Sequence, residues 1–362
     1  MCRGCATMSA MQFGLTVSNV DDVGLIAHAE HLGYHYCWVP DTQLLPSNPW
    51  AVLALAAQQT RSIRLGTGLA IAGLRLAPVV ANSIATINRL APGRTFLGLG
   101  TGNTAMRTMG QRPMAVGAFG RYVGVVRALL DGQEVDYEWR GVTHPIRFQN
   151  RHLGHGDGPI PIHLGGFGPK AQALAGEVAE GLVTGVPRGG SVAQALANVA
   201  TGAARTDRDL AGFETYALMN LLLLEPGETL SSPRAIAECG SAIMANVHYL
   251  VDLHKETGAP PPDYVLPIWE DYLAYHAQRD AARAHQELHQ SHYTYLEAGE
   301  ARFITPEIIR NFTLAGQPEE IVERLHQLEA DGLTEVNFIF PTDQLYRLVE
   351  DFAKRVIRLY LA

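Results

Sequence analysis

Three glycine-rich segments each follow a short apolar run and could bring main-chain N–H groups close to a ligand. The first two segments carry Gly68 and Gly102, and the third contains Gly165, Gly166 and Gly168. A strand that ends in glycine lets a flat ligand approach its backbone, and a glycine turn that opens a helix can bind phosphate through its N–H groups. A helix-like stretch follows each segment. The repeat therefore predicts a ligand site built largely from backbone.

Polar residues that could do chemistry lie at or near the same strand ends. Asp41 follows the second apolar run, Asn103 follows the glycines of the fourth, and His163 lies within the fifth. A partly buried carboxylate at such a place can act as a base or as a hydrogen-bond anchor, and loss of water raises its pKa. The alternative interpretations are a turn or helix-capping aspartate for Asp41 and a packed core histidine for His163.

The elements that must position these residues alternate between strand and helix. Strands are predicted at 13–18, 36–39, 63–71, 95–100, 160–164, 182–185, 216–224 and 335–340. Helices are predicted at 23–33, 49–60, 78–90, 116–130, 170–180, 192–204, 318–330 and 346–360, with a small hairpin at 135–148. Strands that are apolar on both faces and alternate with helices form a parallel sheet covered by helices. Eight such units predict an α/β fold, a (β/α)8 TIM barrel with its site at the C-terminal ends of the strands.

One region breaks the repeat. Residues 225–315 are polar, helical and rich in histidine. We expect them to form a helical insertion after the seventh strand, packed over or beside the barrel mouth. The whole of 12–362 is then one domain that follows an N-terminal tail at 1–11. Aromatic residues in the insertion indicate a bulky substrate, a dimer contact or a local core, and they include Tyr264, Trp269, Tyr272 and Tyr275.

The spacing of histidine and cysteine predicts no metal site. His285, His289 and His292 can share one helix face, but the metalloprotease motif is incomplete because no glutamate occupies its position between the first two. Cys2 and Cys5 have the spacing of zinc and redox sites, but no second pair completes four ligands. We expect the histidine-rich segment to be a solvated or interface helix.

Composition limits the class of partner. The 362 residues are 47% hydrophobic and 18% charged, with a formal net charge of −8 at pH 7, which is typical of a globular chain. Nucleic acids and anionic membranes bind clustered Lys and Arg, so the acidic balance argues against both. No apolar run approaches the roughly 20 residues that span a bilayer, and the N-terminus lacks a signal pattern. We expect a cytoplasmic protein that binds a small-molecule substrate and a second copy of itself.

The order and spacing of several segments resemble the bacterial luciferase-like superfamily of flavin and deazaflavin oxidoreductases, and most closely its methylenetetrahydromethanopterin reductase-like branch. These segments are Trp38-Val39-Pro40-Asp41, Leu65-Gly66-Thr67-Gly68, Ala85-Thr86-Ile87-Asn88-Arg89-Leu90 with Pro92-Gly93-Arg94, Leu97-Gly98-Leu99-Gly100-Thr101-Gly102 and Gly165-Gly166-Phe167-Gly168-Pro169. The resemblance covers nearly the whole chain. It implies a homodimeric TIM-barrel oxidoreductase that uses coenzyme F420 to transfer a hydride to or from a small organic substrate.

The resemblance also implies roles for individual residues. It implies a bulged third strand with a non-prolyl cis peptide between Gly68 and Leu69, and a phosphate site at 165–168 to which Lys170 or Thr184 adds a contact. The residues implied for the cofactor are Ser18, Asp41, Thr67, Gly68, Leu69, Thr101, Gly102, Asn103, Gly165, Gly166, Phe167, Gly168 and Thr184. The candidate catalytic residues are Asp41, Asn103 and His163.

Departures from the family pattern leave alternatives open. Asn103 and Thr42 stand where the sugar-phosphate branch has an acid and a histidine. Because asparagine cannot donate a proton in this way, a proton would come from Asp41, another histidine, a tyrosine or water. No tryptophan follows the glycines of the fourth strand. The absence of this tryptophan favours F420 as the cofactor. The alternative cofactor is reduced FMN, and a protein that uses reduced FMN with oxygen would be a luciferase-like monooxygenase. A non-catalytic ligand-binding barrel is the third hypothesis, and the intact glycines disfavour it.

Overall fold

The computed structural model describes residues 10–149, 158–185 and 190–362, so Cys2 and Cys5 lie outside the described residues. The strands are β1 (Gln12–Thr16), β2 (Tyr36–Val39), β3 (Arg64–Thr67), β4 (Ala70–Ile71), β5 (Thr95–Gly100), β6 (Val135–Trp139), β7 (Val142–Ile146), β8 (Ile162–Gly165), β9 (Gly181–Gly185), β10 (Glu214–Leu223), β11 (Thr313–Gly316) and β12 (Glu335–Phe338).

Helices connect these strands. They are α1 (Val23–Leu32), α2 (Pro49–Gln59), α3 (Ala77–Leu90), α4 (Asn103–Arg107), α5 (Val116–Leu130), α6 (Pro169–Val178), α7 (Val192–Arg205), α8 (Pro233–Thr257), α9 (Leu266–His276), α10 (Ala284–Glu287), α11 (Pro306–Phe312), α12 (Pro318–Ala330), α13 (Leu345–Phe352) and α14 (Arg358–Tyr360). A π-helical stretch at Ala353–Ile357 joins α13 to α14. Within the described ranges, no helix has both the length and the hydropathy that crossing a bilayer requires.

Eight parallel strands close into a barrel, which confirms the predicted (β/α)8 fold. The order around the barrel is β1, β2, β3, β5, β8, β9, β10 and β12, and β12 pairs with β1. Strands β5 and β9 are buried along their whole length because side chains fill the barrel on one face and helices cover the other. The two-stranded sheet of β6 and β7 is the predicted hairpin.

The third strand is interrupted where the sequence predicted one continuous strand over 63–71. The peptide bond between Gly68 and Leu69 is cis, as the family resemblance implies. The chain then resumes as β4, which pairs with the C-terminal end of β5, whereas β3 pairs with its beginning. The interruption places Gly68 and Leu69 between two strand segments at the C-terminal rim of the barrel.

Close contact between α6 and α7 fixes the position of α6. A Cβ atom at Gly202 would lie 1.8 Å from the carbonyl oxygen of Ala173, and one at Gly176 would lie 2.0 Å from that of Val199. Glycine at these positions therefore lets the two helix backbones touch. Because α6 follows β8, this contact also holds the N-terminus of α6 at the rim.

The insertion has its own hydrophobic core, formed by α8, α9, α11 and the turns between them. Trp269 and Tyr272 are buried in this core, and Tyr264 and Tyr275 pack against it. Among the three interpretations of these aromatic residues, the structure therefore supports a local core.

The end of the insertion differs from the prediction, which extended the helical region to residue 315. Residues Thr313–Gly316 instead form the parallel strand β11, which pairs with the last four residues of β10 from Asn220 to Leu223. Strand β10 extends beyond the barrel, so its final backbone groups need a partner. Strand β11 supplies that partner and leads into α12.

Candidate functional site

A cavity of about 660 Å³ opens at the C-terminal ends of the barrel strands. Cavities that hold small molecules and cofactors have this size. The strand ends form one side of it, which we call the barrel wall: Ser18, Asp41, Gly68, Leu69, Thr101, Gly102, Asn103, Gly165, Gly166, Phe167, Gly168 and Lys170. The insertion forms another side, which we call the insertion wall: Ala245, Tyr249, His292, Tyr293 and Thr294. The structure thus brings together most residues that the sequence assigned to the site.

His163 is not brought to this cavity. It lies on β8 in the barrel interior with none of its side chain exposed, and its Nε2 atom is 3.2 Å from the Tyr216 hydroxyl. Burial lowers the pKa of His163 well below its usual range, which keeps the imidazole neutral. This position corresponds to the packed core histidine that the sequence left as an alternative.

Two threonines predicted to bind the cofactor also lie outside the cavity lining. The Thr67 hydroxyl is buried and donates to the carbonyl oxygen of Gly98 at 2.7 Å. Thr184 is buried in β9, next to Val183, whose carbonyl oxygen accepts from Gly166. Within the described residues the Thr184 hydroxyl has no hydrogen-bond partner. The Thr67 hydroxyl is therefore used in a hydrogen bond within the protein. The Thr184 hydroxyl, near the start of α6, has no such bond within the described residues.

Asp41 lies in the barrel wall but is tied to an arginine that the sequence analysis missed. Its side chain is 1% exposed, and its two carboxylate oxygens accept from Nε and Nη2 of Arg75 at 3.0 and 2.8 Å. The bond to Asp41 raises the pKa of Arg75. Such a two-bond pair fixes the carboxylate in orientation and compensates its charge. This geometry favours an anchoring role for Asp41 over a role as a free base.

Leu69, immediately after the cis peptide, packs against glycines on two neighbouring strands. A Cβ atom at Gly165 would lie 2.3 Å from its Cδ1 atom, and one at Gly98 would lie 2.8 Å from its Cδ2 atom. These glycines therefore make room for a protein side chain. Gly168 differs, because a Cβ atom there meets nothing within 4 Å and its φ of −116° suits any residue.

The start of α6 provides the groups for an anion site. Gly168 is the N-cap of this ten-residue helix, and Lys170 lies in its first turn at the cavity. The N–H groups of Gly168 and Lys170 have no hydrogen-bond partner among the described residues, whereas the N–H of Gly166 donates to Val183 at 2.9 Å. Backbone N–H groups at a helix N-terminus attract anions. The available donors therefore lie at Gly168, the last residue of the predicted phosphate site at 165–168, and at Lys170 just after it.

A buried carboxyl group holds the ring of Trp38, which lines the same cavity. The Trp38 Nε1–H donates to Oε1 of Glu335 at 2.8 Å. Glu335 is buried in the barrel interior, and burial raises its pKa well above the usual range. A protonated carboxyl group can accept this bond without placing a net charge in the barrel. The sequence identified Trp38 only as part of a motif and gave no indication of Glu335.

The three histidines of the insertion do not share one helix face. Helix α10 ends at Glu287, and the chain continues through turns to Thr294. His289 is buried with its Nε2 atom 2.8 Å from Oδ2 of Asp252, His292 lies in the insertion wall, and His285 is exposed. In the parts of the chain that the structure describes, no group of three His, Cys, Asp or Glu side chains is placed to hold a metal ion.

The sequence matches a known protein family and individual relatives. Residues 19–335 match the family model for luciferase-like monooxygenases. The 5,10-methylenetetrahydromethanopterin reductase of Archaeoglobus fulgidus is 27% identical over 314 residues, which cover 85% of this chain and 86% of that protein. The F420-dependent hydroxymycolic acid dehydrogenase of Mycobacterium tuberculosis is 32% identical over 207 residues, which cover 51% of this chain and 55% of that protein.

Solved structures share the fold. The coenzyme F420-dependent tetrahydromethanopterin reductase from Methanopyrus kandleri superimposes with a TM-score of 0.66 at 23% identity, over 97% of this chain and all of that one. An F420-dependent secondary alcohol dehydrogenase superimposes with a TM-score of 0.66 at 17% identity, over 96% of this chain and 99% of that one. At these identities the likeness shows the barrel architecture.

Proposed function

The chain belongs to the luciferase-like monooxygenase family, and we propose that it is an oxidoreductase that uses coenzyme F420 to transfer a hydride to or from a small organic substrate. The cavity at the barrel rim carries this proposal, because it combines an anion site at the start of α6 with an apolar surface at Leu69. Relatives named as methylenetetrahydromethanopterin reductases and F420-dependent dehydrogenases support the choice of cofactor.

The residues present fit a cofactor with a flat ring system and a phosphate on its side chain. A cavity of about 660 Å³ can accept such a ring. The N–H groups of Gly168 and Lys170 and the Lys170 side chain would hold the phosphate. The unpartnered Thr184 hydroxyl is an orphan donor on the strand next to this site. The N–H groups of Gly168 and Lys170 and the Lys170 side chain would thus bind the phosphate and leave the ring to the apolar part of the wall.

The protein supplies position and electrostatics, while the bound deazaflavin supplies a carbon centre that donates or accepts a hydride. The ring can lie against Leu69, which packs on the buried Trp38, and the bond from Trp38 to Glu335 keeps the indole in one orientation. Asp41 and Arg75 together hold the chain that follows β4 against the rim. Ser18, Thr101 and Asn103 add polar groups that can hydrogen-bond to the ring edge or to the substrate.

Binding and turnover together test the proposal. We expect coenzyme F420 to bind saturably in a fluorescence titration and FMN to bind more weakly. We then expect turnover with at least one of three probes: 5,10-methylenetetrahydromethanopterin with reduced F420, or 2-propanol or glucose 6-phosphate with oxidised F420. Tighter binding of FMN would assign the protein to the oxygen-using monooxygenases. Binding of neither cofactor would support a non-catalytic barrel and contradict the proposal.

Two further expectations from the sequence belong to this proposal. We propose that the protein is a homodimer, and light scattering of the purified protein tests this directly. A cytoplasmic location is consistent with the intracellular supply of a reduced deazaflavin, and cell fractionation tests it.

A further inference from the structure

A groove on the outside of the barrel adjoins the cavity. It has a volume of about 650 Å³ and is lined by residues of α5, α6 and α7, and we call it the α6 groove. Val116, Pro169 and Lys170 line both the cavity and the groove. These residues lie at the N-terminal ends of α5 and α6, so the groove begins beside the anion site. At its other end Glu177 and Val178 line it, in the last turn of α6.

The charged side chains that line the α6 groove are mostly cationic. They are Lys170, Arg121 and Arg205, with Glu177 as the single carboxylate. This excess of positive charge is local, because the chain as a whole has a formal net charge of −8 at pH 7. A cleft lined by one sign of charge raises the local concentration of ligands of the opposite sign. The α6 groove therefore favours an anionic ligand.

The two cations nearer the cavity have no carboxylate partner. Within the described residues the Lys170 ammonium makes no ion pair or hydrogen bond. The Arg121 guanidinium donates to the carbonyl oxygen of Gly117, at 3.3 Å, which lies one turn closer to the N-terminus of α5. Arg205, at the far end, is paired with Glu177 at 2.8 Å. The positive charge that a ligand could use thus lies mainly at the end that adjoins the anion site.

Small residues leave space beside these cations. Gly117 and Gly120 line the α6 groove on α5, and Ala173 lines it on α6. A Cβ atom at Gly117 would meet nothing within 4 Å. From Lys170 to Glu177 the helix spans seven residues, or roughly 10 Å, so the groove is long enough for a short extended chain rather than a single ion.

We infer that the α6 groove binds a chain of carboxylates that continues from the phosphate of the cofactor; this inference rests on the proposed function. Coenzyme F420 carries such a chain, a short tail of linked glutamates beyond its phosphate. A phosphate held by Gly168 and Lys170 would place the start of this tail where the cavity and the groove share their lining. Arg121 would then pair with a carboxylate of the tail, and Arg205 would attract a later one.

Binding of F420 with and without its glutamate tail provides the first test. At low salt we expect the wild type to bind the form with two or more glutamates about 10-fold more tightly than the form that ends after the phosphate, because each exposed ion pair contributes modestly. The preference should fall below about threefold near 0.5 M NaCl, since salt screens exposed charges. Fluorescence titration measures these affinities without any substrate.

Variants of Arg121 test the position of the tail. Arg121→Gln removes a charge and Arg121→Glu reverses it, so the affinity for tailed F420 should fall about threefold and about 10-fold, respectively. The affinity for the form without a tail should change less than about twofold, which also shows that the variants are folded. Arg324→Gln, at an exposed arginine on α12 that does not line the groove, is the matched control and should keep both wild-type affinities.

Glu177 gives a test of the opposite sign. Glu177→Gln removes the carboxylate and releases Arg205, so tailed F420 should bind about twofold more tightly. Equal binding of the two forms by the wild type, an Arg121→Glu variant that keeps the full preference for the tail, or weaker binding of tailed F420 by Glu177→Gln would overturn the inference. A wild type that binds neither form would contradict the proposed function instead, so the two failures are distinguishable.

Discussion

The two walls of the cavity are built in different ways. The barrel wall consists largely of main chain and of glycines packed against Leu69, and its donors are N–H groups of Gly168 and Lys170. The insertion wall consists of side chains, including His292, whose ring lies 6.0 Å from that of the buried His289. Main chain fixed by a sheet gives a rigid site for an invariant cofactor, whereas side chains on an insertion can change with the substrate. We therefore propose that the barrel wall binds the cofactor and that the insertion wall contacts the substrate.

The largest effect is expected from filling the packed part of the barrel wall. A Cβ atom at Gly98 would lie 2.1 Å from the Thr67 carbonyl oxygen, so Gly98→Val should lower the free energy of unfolding by about 3 kcal/mol or more. Gly124 lies on the exposed side of α5 with nothing within 4 Å of a Cβ atom, and Gly124→Ala should raise stability by about 0.5–1 kcal/mol. Urea denaturation measures both. Wild-type stability of Gly98→Val would show that the barrel wall is not rigidly packed.

A change of charge alone tests the anion site. Gly168→Asp and Gly168→Asn introduce side chains of equal size that can both cap α6. Because a carboxylate repels a phosphate, Gly168→Asp should bind F420 about 30-fold more weakly than Gly168→Asn, which corresponds to ~2 kcal/mol. Fluorescence titration measures the two affinities, and thermal unfolding checks that the two proteins are equally stable. Equal affinities would mean that the phosphate lies elsewhere.

Glu300, a buried carboxylate in the insertion, should contribute more to the stability of the fold as the pH rises. Burial on its own would raise the pKa of Glu300, but bonds from His248 and Tyr272 outweigh it and lower the pKa. Stability from this group is therefore present above about pH 4.3 and lost as the pH falls through the lowered value. We expect Glu300→Gln to cost about 1.5 kcal/mol at pH 7 and much less near pH 3. Denaturant titrations at both pH values test this, and an equal cost at both would contradict it.

The buried carboxyl of the barrel should show the opposite pH dependence. Burial raises the pKa of Glu335, so the folded protein keeps a proton that the unfolded chain releases above about pH 4.3. The wild type therefore loses stability from this group as the pH rises. Glu335→Gln has no such loss, and its stability relative to wild type should increase from about pH 5 to pH 8. A relative stability that falls over this range would show that Glu335 is ionised in the barrel.

The barrel wall could be predicted because its signals are local in sequence. The observed bounds of β2 and β5 match the predicted ones at both ends, since each strand is a short apolar run closed by a turn. Gly102 and the glycines at 165, 166 and 168 lie at or just after the ends of β5 and β8, so parallel pairing brings them to one rim. The cis peptide after Gly68 followed from the family resemblance rather than from propensity.

The rest of the site depends on contacts between distant residues. Arg75 and Asp41 are 34 residues apart, and His289 and Asp252 are 37 apart, with no periodic pattern that links either pair. His163 was placed on the correct strand, but the sequence does not show how deep in the barrel a strand residue lies. Strand β11 was missed because it lies outside the repeat of strand and helix and pairs only with the end of β10 that extends beyond the barrel.

A crystal structure of the protein with coenzyme F420 tests most directly whether the barrel wall binds the cofactor and the insertion wall faces the substrate. We expect the phosphate within hydrogen-bond distance of the Gly168 and Lys170 N–H groups, and the ring against Leu69 between the barrel wall and the insertion wall. A cofactor phosphate bound away from α6, or a ring that lies outside the barrel rim, would contradict this assignment.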